Sequence, residues 1–131
     1  MQLLLDTHIW VWLAQSPQRL GKKTARLLLD PANTTLLSPI SIWEFATLVE
    51  RRRFKGINDA FGWIAAAMRE WPMIEAPLNN LIAIDAAGLR FATRDPSDYL
   101  IVATARVNQM TLITHDAAII ASGLVATIPN D

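Results

Sequence analysis

Gln2-Leu3-Leu4-Leu5-Asp6 lies near the start of the chain, and a helical pattern over Thr7–Ala14 follows it directly. A short apolar run followed by a helical pattern is typical of a buried strand that leads into a helix. The same order returns later, where Thr111–Thr114 is followed by His115 and Asp116. Apolar runs alternate with helical patterns along the whole chain, which predicts an α/β fold with a small, mainly parallel sheet flanked by helices.

Apolar spacing and turn residues give the individual elements. Ile42, Phe45 and Val49 are spaced three and four residues apart, as on one face of a helix, and Ile101 and Ala105 repeat that spacing. We predict strands at Gln2–Leu5, Thr35–Leu37, Met73–Glu75, Thr111–Thr114 and Ala126–Ile128. We predict helices at Thr7–Ala14, Lys22–Asp30, Ile40–Arg51, Ala60–Glu70, Leu78–Gly88 and Ser97–Asn108.

Composition limits the class of protein. The 131 residues are 52% hydrophobic and 18% charged, so we expect one packed domain spanning residues 1–131. The chain has no cysteine, which excludes a disulfide scaffold, a thiolate zinc site and thiol catalysis. The start of the chain lacks the pattern of a signal peptide, and the longest nearly apolar run, Ala117–Ile128, is too short to span a bilayer. We therefore expect a cytoplasmic protein that does not enter a membrane.

Four acidic residues occupy positions of special interest, although each one alone has a simple structural role. Asp6 and Asp116 follow apolar runs and precede helical stretches, where an aspartate can cap a helix. In Asp95-Pro96-Ser97-Asp98, the first residue reads as an N-cap and the last as an acid of the first turn. Glu44 could form a capping box with Ser41.

Taken together, the acids indicate a shared site. Asp6 and Asp116 would emerge at the carboxyl edge of a parallel sheet, where ligands bind, and Asp98 can point to the same place. If Ser38 caps its helix, Glu44 lies more than a turn inside it among apolar residues, so capping explains Glu44 poorly. Clustered carboxylates repel one another unless protons or a divalent cation neutralise them. With two histidines and no cysteine in the chain, the donors favour Mg²⁺, with Mn²⁺ as the alternative, over zinc. Phosphodiester hydrolysis by metal-activated water is the chemistry that best uses such a site.

The order of the motifs resembles that of the PIN-domain ribonucleases, in particular the VapC-like toxins of type II toxin–antitoxin pairs. The similarity covers nearly the whole chain, and it is carried by all four segments in order rather than by any one of them. These segments are Leu3–His8, Ser38–Glu44, Asp95–Ala105 and Leu112–Asp116.

The resemblance implies a PIN-like three-layer α/β/α domain and an Mg²⁺-dependent endoribonuclease that acts as a toxin. It further implies an RNA substrate, a cognate antitoxin protein that covers the groove, and a homodimer. The family's four acidic positions fall on Asp6, Glu44, Asp98 and Asp116. Of these, Asp6 and Asp98 would bind the metal directly, while Thr114 would help to hold the site.

Four further residues near the motifs depart from the family pattern or allow two roles. The family often has arginine where Tyr99 stands, which puts a local arginine contact in doubt. We assign Asp95 mainly to capping, with an outer role at the metal site as the alternative. His8 and His115 adjoin site acids, but we expect them to face solvent or to lie behind the ligands rather than to bind metal.

Basic and aromatic residues add two further expectations. The single dense basic segment comprises Arg51, Arg52, Arg53 and Lys55, and it is either a solvated helix end or an RNA-binding patch. Net charge is zero, so overall charge would not drive RNA binding. We expect the five tryptophans to be core or interface anchors, with Trp10 and Trp12 facing different ways.

Two other functions compete with the nuclease. One is a catalytically inactive PIN-type module that binds RNA or a protein, although such a module has no need for four mutually repelling carboxylates. The other is a phosphoryl-transfer domain of the phosphatase or response-regulator kind. That class needs paired acids after the first strand and a site lysine, whereas the three lysines, Lys22, Lys23 and Lys55, follow no late strand.

Overall fold

A five-stranded parallel sheet forms the centre of the computed structural model, which describes residues 1–93 and 95–131. The strands are β1 (Gln2–Leu5), β2 (Thr34–Leu37), β3 (Ile74–Glu75), β4 (Thr111–Thr114) and β5 (Thr127–Pro129), in the spatial order β3-β2-β1-β4-β5. The helices are α1 (Thr7–Gln15), α2 (Lys22–Leu29), α3 (Pro39–Glu50), α4 (Ala60–Glu70), α5 (Asn80–Gly88), α6 (Pro96–Asn108) and α7 (Ala117–Ser122).

Helices cover both faces of the sheet, which explains why the central strands read as unbroken apolar runs. Leu3 and Leu5 point into one hydrophobic cluster together with residues of α1, α3 and α4. Leu4, which points the other way, joins a second cluster with residues of α5, α6 and α7. The predicted three-layer α/β/α arrangement is therefore confirmed. None of the helices in the described ranges is long and apolar enough to cross a membrane.

Capping residues explain where several helices begin. Ser38 accepts a hydrogen bond from the backbone N–H of Ile40 at 3.1 Å, with Pro39 as the first helical residue of α3. Helix α5 starts at Asn80 rather than at the predicted Leu78, because Asn79 accepts from the N–H of Ile82 at 3.0 Å. The other predicted boundaries of helices and strands agree with the structure to within one or two residues.

Helix α7 was absent from the predicted elements. Its six residues are too few to show an apolar period, and Ala117–Ile128 looked like one continuous apolar run. Asp116 begins the helix by accepting from the N–H groups of Ala118 and Ile119. Gly123 ends it in the left-handed conformation, with φ of 65°.

Phe45 anchors the first hydrophobic cluster, and it offers a test of that packing. Its ring is fully buried against Trp10 and Trp63, with centroid separations of 5.6 and 4.4 Å. We expect Phe45→Ala to lower the free energy of unfolding by about 3–5 kcal/mol, because removal of the buried ring creates a cavity. Phe61→Ala is the matched control, since Phe61 is 81% exposed, and it should change stability by no more than about 0.5 kcal/mol. Urea denaturation measures both values, and equal losses would contradict this account of the core.

Candidate active site

The candidate site lies where the strand order of the sheet reverses. From β1 the chain moves outward through β2 and β3 on one side, and β4 and β5 lie on the other side. Crevices at the carboxyl end of such a switch point are the usual ligand sites of open α/β sheets. Asp6 directly follows β1, and Asp116 follows the neighbouring β4 after one intervening residue. The fold thus brings the first and last acids of the sequence motifs to one edge.

Asp6 is held on both carboxylate oxygens. The backbone N–H of Thr7 donates to Oδ1 at 2.8 Å, and the hydroxyl of Thr114 donates to Oδ2 at 2.6 Å. The Thr114 oxygen also accepts from the backbone N–H of Asp116 at 3.0 Å, so this hydroxyl connects the two acids. Asp6 is only 7% exposed. Burial raises the pKa of Asp6, while the hydrogen bond from Thr114 opposes that rise.

Glu44 and Asp95 share one hydroxyl group. The Ser97 oxygen lies 2.7 Å from Glu44 Oε2 and 2.9 Å from Asp95 Oδ1. Because a hydroxyl carries a single proton, Ser97 can donate to only one of two ionised carboxylates. Burial, together with the neighbouring Asp95, raises the pKa of Glu44 to about 7. Without a cation, a proton on Glu44 therefore relieves the conflict between the two carboxylates.

Asp98 links the acids into one cluster. It lies in the first turn of α6, and the Thr93 hydroxyl donates to its Oδ2 at 2.6 Å. Oxygens of Glu44, Asp95 and Asp98 lie within 4.8 Å of one another. Burial raises the pKa of Asp98 to about 6, and the charges of Asp6, Asp95 and Asp116 add to the rise. Glu44, Asp95 and Asp98 thus form the tightest trio of acids. Asp98 also lies near Asp6 and Asp116, which are outside this trio.

All of these carboxylates line one open cleft of about 440 Å³. The residues that line it are Asp6, His8, Glu44, Asp95, Asp98, His115, Asp116, Ala117 and Ala118. Among the described residues of this lining there is neither lysine nor arginine. Asp85–Arg106 is the one salt bridge within residues 1–93 and 95–131, and it lies outside this cleft. The five carboxylates therefore offer hard oxygen donors and an excess of negative charge, which suits a divalent cation such as Mg²⁺ or Mn²⁺.

Comparison with known proteins identifies the family. The sequence profile described as PIN domain matches residues 3–121. The chain belongs to the PIN-domain family. A curated relative, Ribonuclease VapC22 of Mycobacterium tuberculosis (strain ATCC 25618 / H37Rv), is 28% identical over 115 residues, which cover 87% of this chain and 86% of that protein.

Solved structures show the same PIN fold. The chain aligns with VapBC2 from Rickettsia felis bound to a promoter DNA fragment, with a TM-score of 0.71, 17% identity and full coverage of both chains. It also aligns with DNA-bound VapBC from Salmonella typhimurium, with a TM-score of 0.70, 12% identity and coverage of 100% of this chain and 99% of that one. The phosphatase or response-regulator alternative is not supported, since the chain belongs to another family and its acidic cleft includes no lysine.

Asp95 and Asp116 serve both as helix caps and as walls of the PIN cleft. Asp95 accepts from the N–H of Ser97 at 3.1 Å, which confirms the predicted capping role. Its carboxylate nevertheless belongs to the trio with Glu44 and Asp98, closer to the centre than the sequence suggested. Burial works against its ionisation, but hydrogen bonds with Glu44 and Ser97 hold the pKa of Asp95 below its ordinary value. Capping and a place in the cluster are compatible.

Two hydroxyl residues of this PIN site had no role in the sequence prediction. Ser97 is 3% exposed and bridges Glu44 and Asp95, while Thr93 orients Asp98 and accepts from the N–H of Asp95 at 3.2 Å. Ser97 stands inside the quoted Asp-Pro-Ser-Asp motif, so a small hydroxyl between two acids was an available signal. Thr93 precedes the motif, and nothing in the local sequence distinguishes it.

Tyr99 and the two histidines also have defined places. The Tyr99 ring packs on Phe91 at a centroid distance of 4.9 Å, and its hydroxyl lies 3.3 Å from the carbonyl oxygen of Thr93. Tyr99 thus supports the loop that carries Thr93. His115 is exposed, but His8 is half-buried and lies 5.6 Å from His115 between ring centroids. Burial lowers the pKa of His8, although the charge of Asp6 opposes this effect.

The residues of the dense basic segment, which follows α3, lie on different surfaces of the molecule. Arg51 lies near enough to Asp95 for its charge to lower the pKa of that carboxyl, although burial is the largest influence on Asp95 and acts in the other direction. Arg52 adopts φ of 56° and lines a different hollow, together with Lys55. Arg53 and Lys55 line a groove that begins at His8. The four cations therefore do not form one uniform patch.

The raised pKa of Asp98 predicts a stability that depends on pH. Between the ordinary value of 3.8 and the folded value of about 6, the folded chain binds more protons at this site than the unfolded chain. The contribution of Asp98 to the free energy of unfolding therefore falls as pH rises through this window. In EDTA, Asp98→Asn should become progressively more stable than the wild type between about pH 4 and pH 6, and the difference should stay constant above that.

Urea denaturation at a series of pH values measures this difference. Glu70→Gln is the matched control, because Glu70 is an exposed carboxylate that does not line the cleft. A difference between Asp98→Asn and the wild type that did not change with pH would contradict the electrostatic description of the cluster.

Proposed function

We propose that this chain is a metal-dependent endoribonuclease that acts as the toxin of a toxin–antitoxin pair, as one domain spanning residues 1–131. The observation that carries the proposal is the gathering of five carboxylates in one cleft at the switch point of a PIN fold, with no lysine or arginine on the described cleft wall. These residues are Asp6, Glu44, Asp95, Asp98 and Asp116.

Asp98 and Asp6 are the proposed direct ligands of the cation. Asp98 lies near Asp6, Asp95 and Asp116, whose charges raise its pKa, and its carboxylate lies within 4.8 Å of that of Glu44. The bonds to Asp6 from Thr7 and Thr114 fix its orientation and leave lone pairs for a further partner, because an ionised carboxylate can accept about four hydrogen bonds. The proposed ligands are carboxylate oxygens, which favours Mg²⁺, with Mn²⁺ as the alternative. When bound, such a cation supplies Lewis-acid activation of water and neutralises charge on the phosphate.

Glu44 and Asp116 complete the proposed catalytic set. Glu44 Oε2 can hold or release a proton near neutral pH, since the pKa of Glu44 is about 7 and Ser97 offers a hydrogen-bond partner in either state. Asp116 is turned into the cleft by its own capping bonds, so its second oxygen can orient water. Asp95 and Thr114 keep the proposed supporting roles, which their contacts with Ser97 and Asp6 favour.

The proposed substrate and partners follow from the relatives. One relative is named as a ribonuclease, and the aligned structures are named as VapBC complexes, so we propose an RNA substrate and a cognate antitoxin protein. We also propose action in the cytoplasm, where RNA and such a partner occur together. A homodimer is supported by large apolar side chains that remain exposed on the single chain, among them Trp43, Leu81 and Ile84.

Cleavage of RNA is the direct test. With Mg²⁺, the purified chain should cleave single-stranded RNA, and EDTA should stop the reaction. Asp98→Asn should slow cleavage by at least about 100-fold, because it removes a proposed metal ligand that supports several kcal/mol of transition-state stabilisation. Asp116→Asn should also slow cleavage without a loss of stability, since asparagine caps helices as well as aspartate does.

Asp59→Asn serves as the matched control for both variants. Asp59 also caps a helix, by accepting from the N–H of Gly62 at 3.0 Å, but it is exposed and does not line the cleft. Its variant should cleave at the wild-type rate. Equal cleavage by Asp98→Asn, or no cleavage with any divalent cation, would refute the proposal. RNA binding without cleavage would instead indicate the inactive binding module.

Growth of a bacterial host tests the toxin role separately. Expression of the wild-type chain should halt growth through RNA degradation, and co-expression of the antitoxin from the neighbouring reading frame should restore it. Asp98→Asn, produced at the same level, should leave growth unchanged. An equal arrest by this variant would show that toxicity does not come from the acidic cleft.

A further inference from the structure

A second groove, which we call the basic–aromatic groove, adjoins the acidic cleft. Its volume is about 460 Å³, and its wall includes His8, Trp12, Arg19, Arg53, Phe54 and Lys55. His8 lines both this groove and the acidic cleft. The groove and the cleft therefore form adjacent parts of one surface, which a single extended ligand can occupy.

Aromatic rings continue from the cleft into the groove. His115, on the cleft wall, lies 4.6 Å from Trp12 and 5.6 Å from His8, measured between ring centroids. The His8 ring lies 5.8 Å from Phe54 on the other side. His115 is exposed, while Trp12, His8 and Phe54 are half-buried. These rings form a contiguous aromatic cluster that borders both the cleft and the groove, and nucleic-acid bases stack on aromatic side chains.

Cations surround these rings. The Arg19 guanidinium lies 5.0 Å from the centre of the Trp12 ring, and Arg53 and Lys55 line the same groove. No aspartate or glutamate is on the described groove wall, and none lies within 4.0 Å of these three cations among the residues that the structure describes. The groove therefore attracts anions, in contrast to the acidic cleft beside it.

We propose that the basic–aromatic groove binds the nucleotide next to the scissile phosphate of single-stranded RNA. In this proposal the base stacks against Trp12 and Phe54, and the flanking phosphates contact Arg19, Arg53 and Lys55. The inference rests on the proposed function, because the acidic cleft supplies the point of cleavage. It also gives Trp12 a role beyond the anchor that its sequence position suggested.

Single-stranded RNA fits this groove better than an acidic protein segment does. Both ligands would satisfy the cations, but only RNA presents a flat π-face together with a phosphate on every nucleotide. The groove supplies both complements side by side, since a guanidinium lies against an indole ring. Arginine and aromatic planes of this kind stack on bases without strong sequence preference, so we expect weak discrimination at this nucleotide.

Binding of a short fluorescein-labelled single-stranded RNA, measured by fluorescence anisotropy in EDTA, tests the groove without cleavage. Arg53→Gln should weaken binding and reduce the slope of log Kd against log salt by roughly 0.7, the value for one phosphate contact on a single strand. Trp12→Leu should weaken binding by about tenfold through lost stacking, and Trp12→Phe should restore most of the affinity. In cleavage assays with Mg²⁺, the same losses should appear as a higher KM with little change in kcat.

Arg69→Gln is the matched control, because Arg69 is an exposed arginine that lines neither the groove nor the cleft. Circular dichroism and urea denaturation identify any variant that fails to fold. If Trp12→Leu fails to fold, Phe54→Leu takes its place. RNA affinities of Arg53→Gln and the tryptophan variant equal to that of Arg69→Gln would overturn the proposal. So would unchanged RNA binding with lost binding of polyglutamate, which would mark a protein-docking surface.

The two proposals can fail independently. Groove-dependent RNA binding without any metal-dependent cleavage would refute the nuclease and leave the groove assignment in place. Cleavage that proceeds with an unchanged KM in the groove variants would refute the groove alone.

Discussion

Mutual repulsion among clustered carboxylates is the constraint that shapes this end of the molecule. Burial raises the pKa values of Asp6, Glu44 and Asp98, and a neighbouring acid adds to each of these rises. Within residues 1–93 and 95–131, no lysine or arginine on the cleft wall relieves this repulsion. Instead, hydroxyl groups bond to the acids, with Thr114 on Asp6, Ser97 on Glu44 and Thr93 on Asp98. A hydroxyl stabilises a carboxylate without cancelling its charge, so the cluster stays competent for a cation.

Helix N-termini contribute a second, weaker form of stabilisation. Asp6, Asp95 and Asp116 each cap a helix that starts at the carboxyl edge of the sheet, so each carboxylate lies at the positive end of a helix dipole. This arrangement explains why capping and a role at the site could not be separated from sequence. For Asp6 and Asp116, the residue between a strand and the next helix is also the residue that faces the ligand crevice of a parallel sheet, whereas Asp95 begins a helix that follows another helix. One aspartate can satisfy both demands.

The parts predicted from sequence were those determined by local pattern. The apolar run ending at Asp6 and the turn of Ser38-Pro39 located their elements because burial and capping act within a few residues. Helix α7 was not predicted, because six residues are too few to show the apolar spacing of a helix. The place of Asp95 in the tightest trio depends on how α3 and α6 pack, since Glu44 and Asp95 are far apart in sequence. The separation of Arg51, Arg52 and Arg53 depends on the backbone turn at Arg52, where φ is 56°.

Charge separation gives the zero net charge of this chain a different meaning from the one that composition suggests. Twelve acidic and twelve basic residues cancel in total, but the cleft gathers five acids and the adjoining groove gathers three cations. A polyanion that approached the acidic cleft alone would be repelled before it could react. The cations of the adjoining groove offset this repulsion, because the groove and the cleft meet at His8. Opposite charges thus lie side by side on this surface, and the zero net charge of the whole chain conceals both of them.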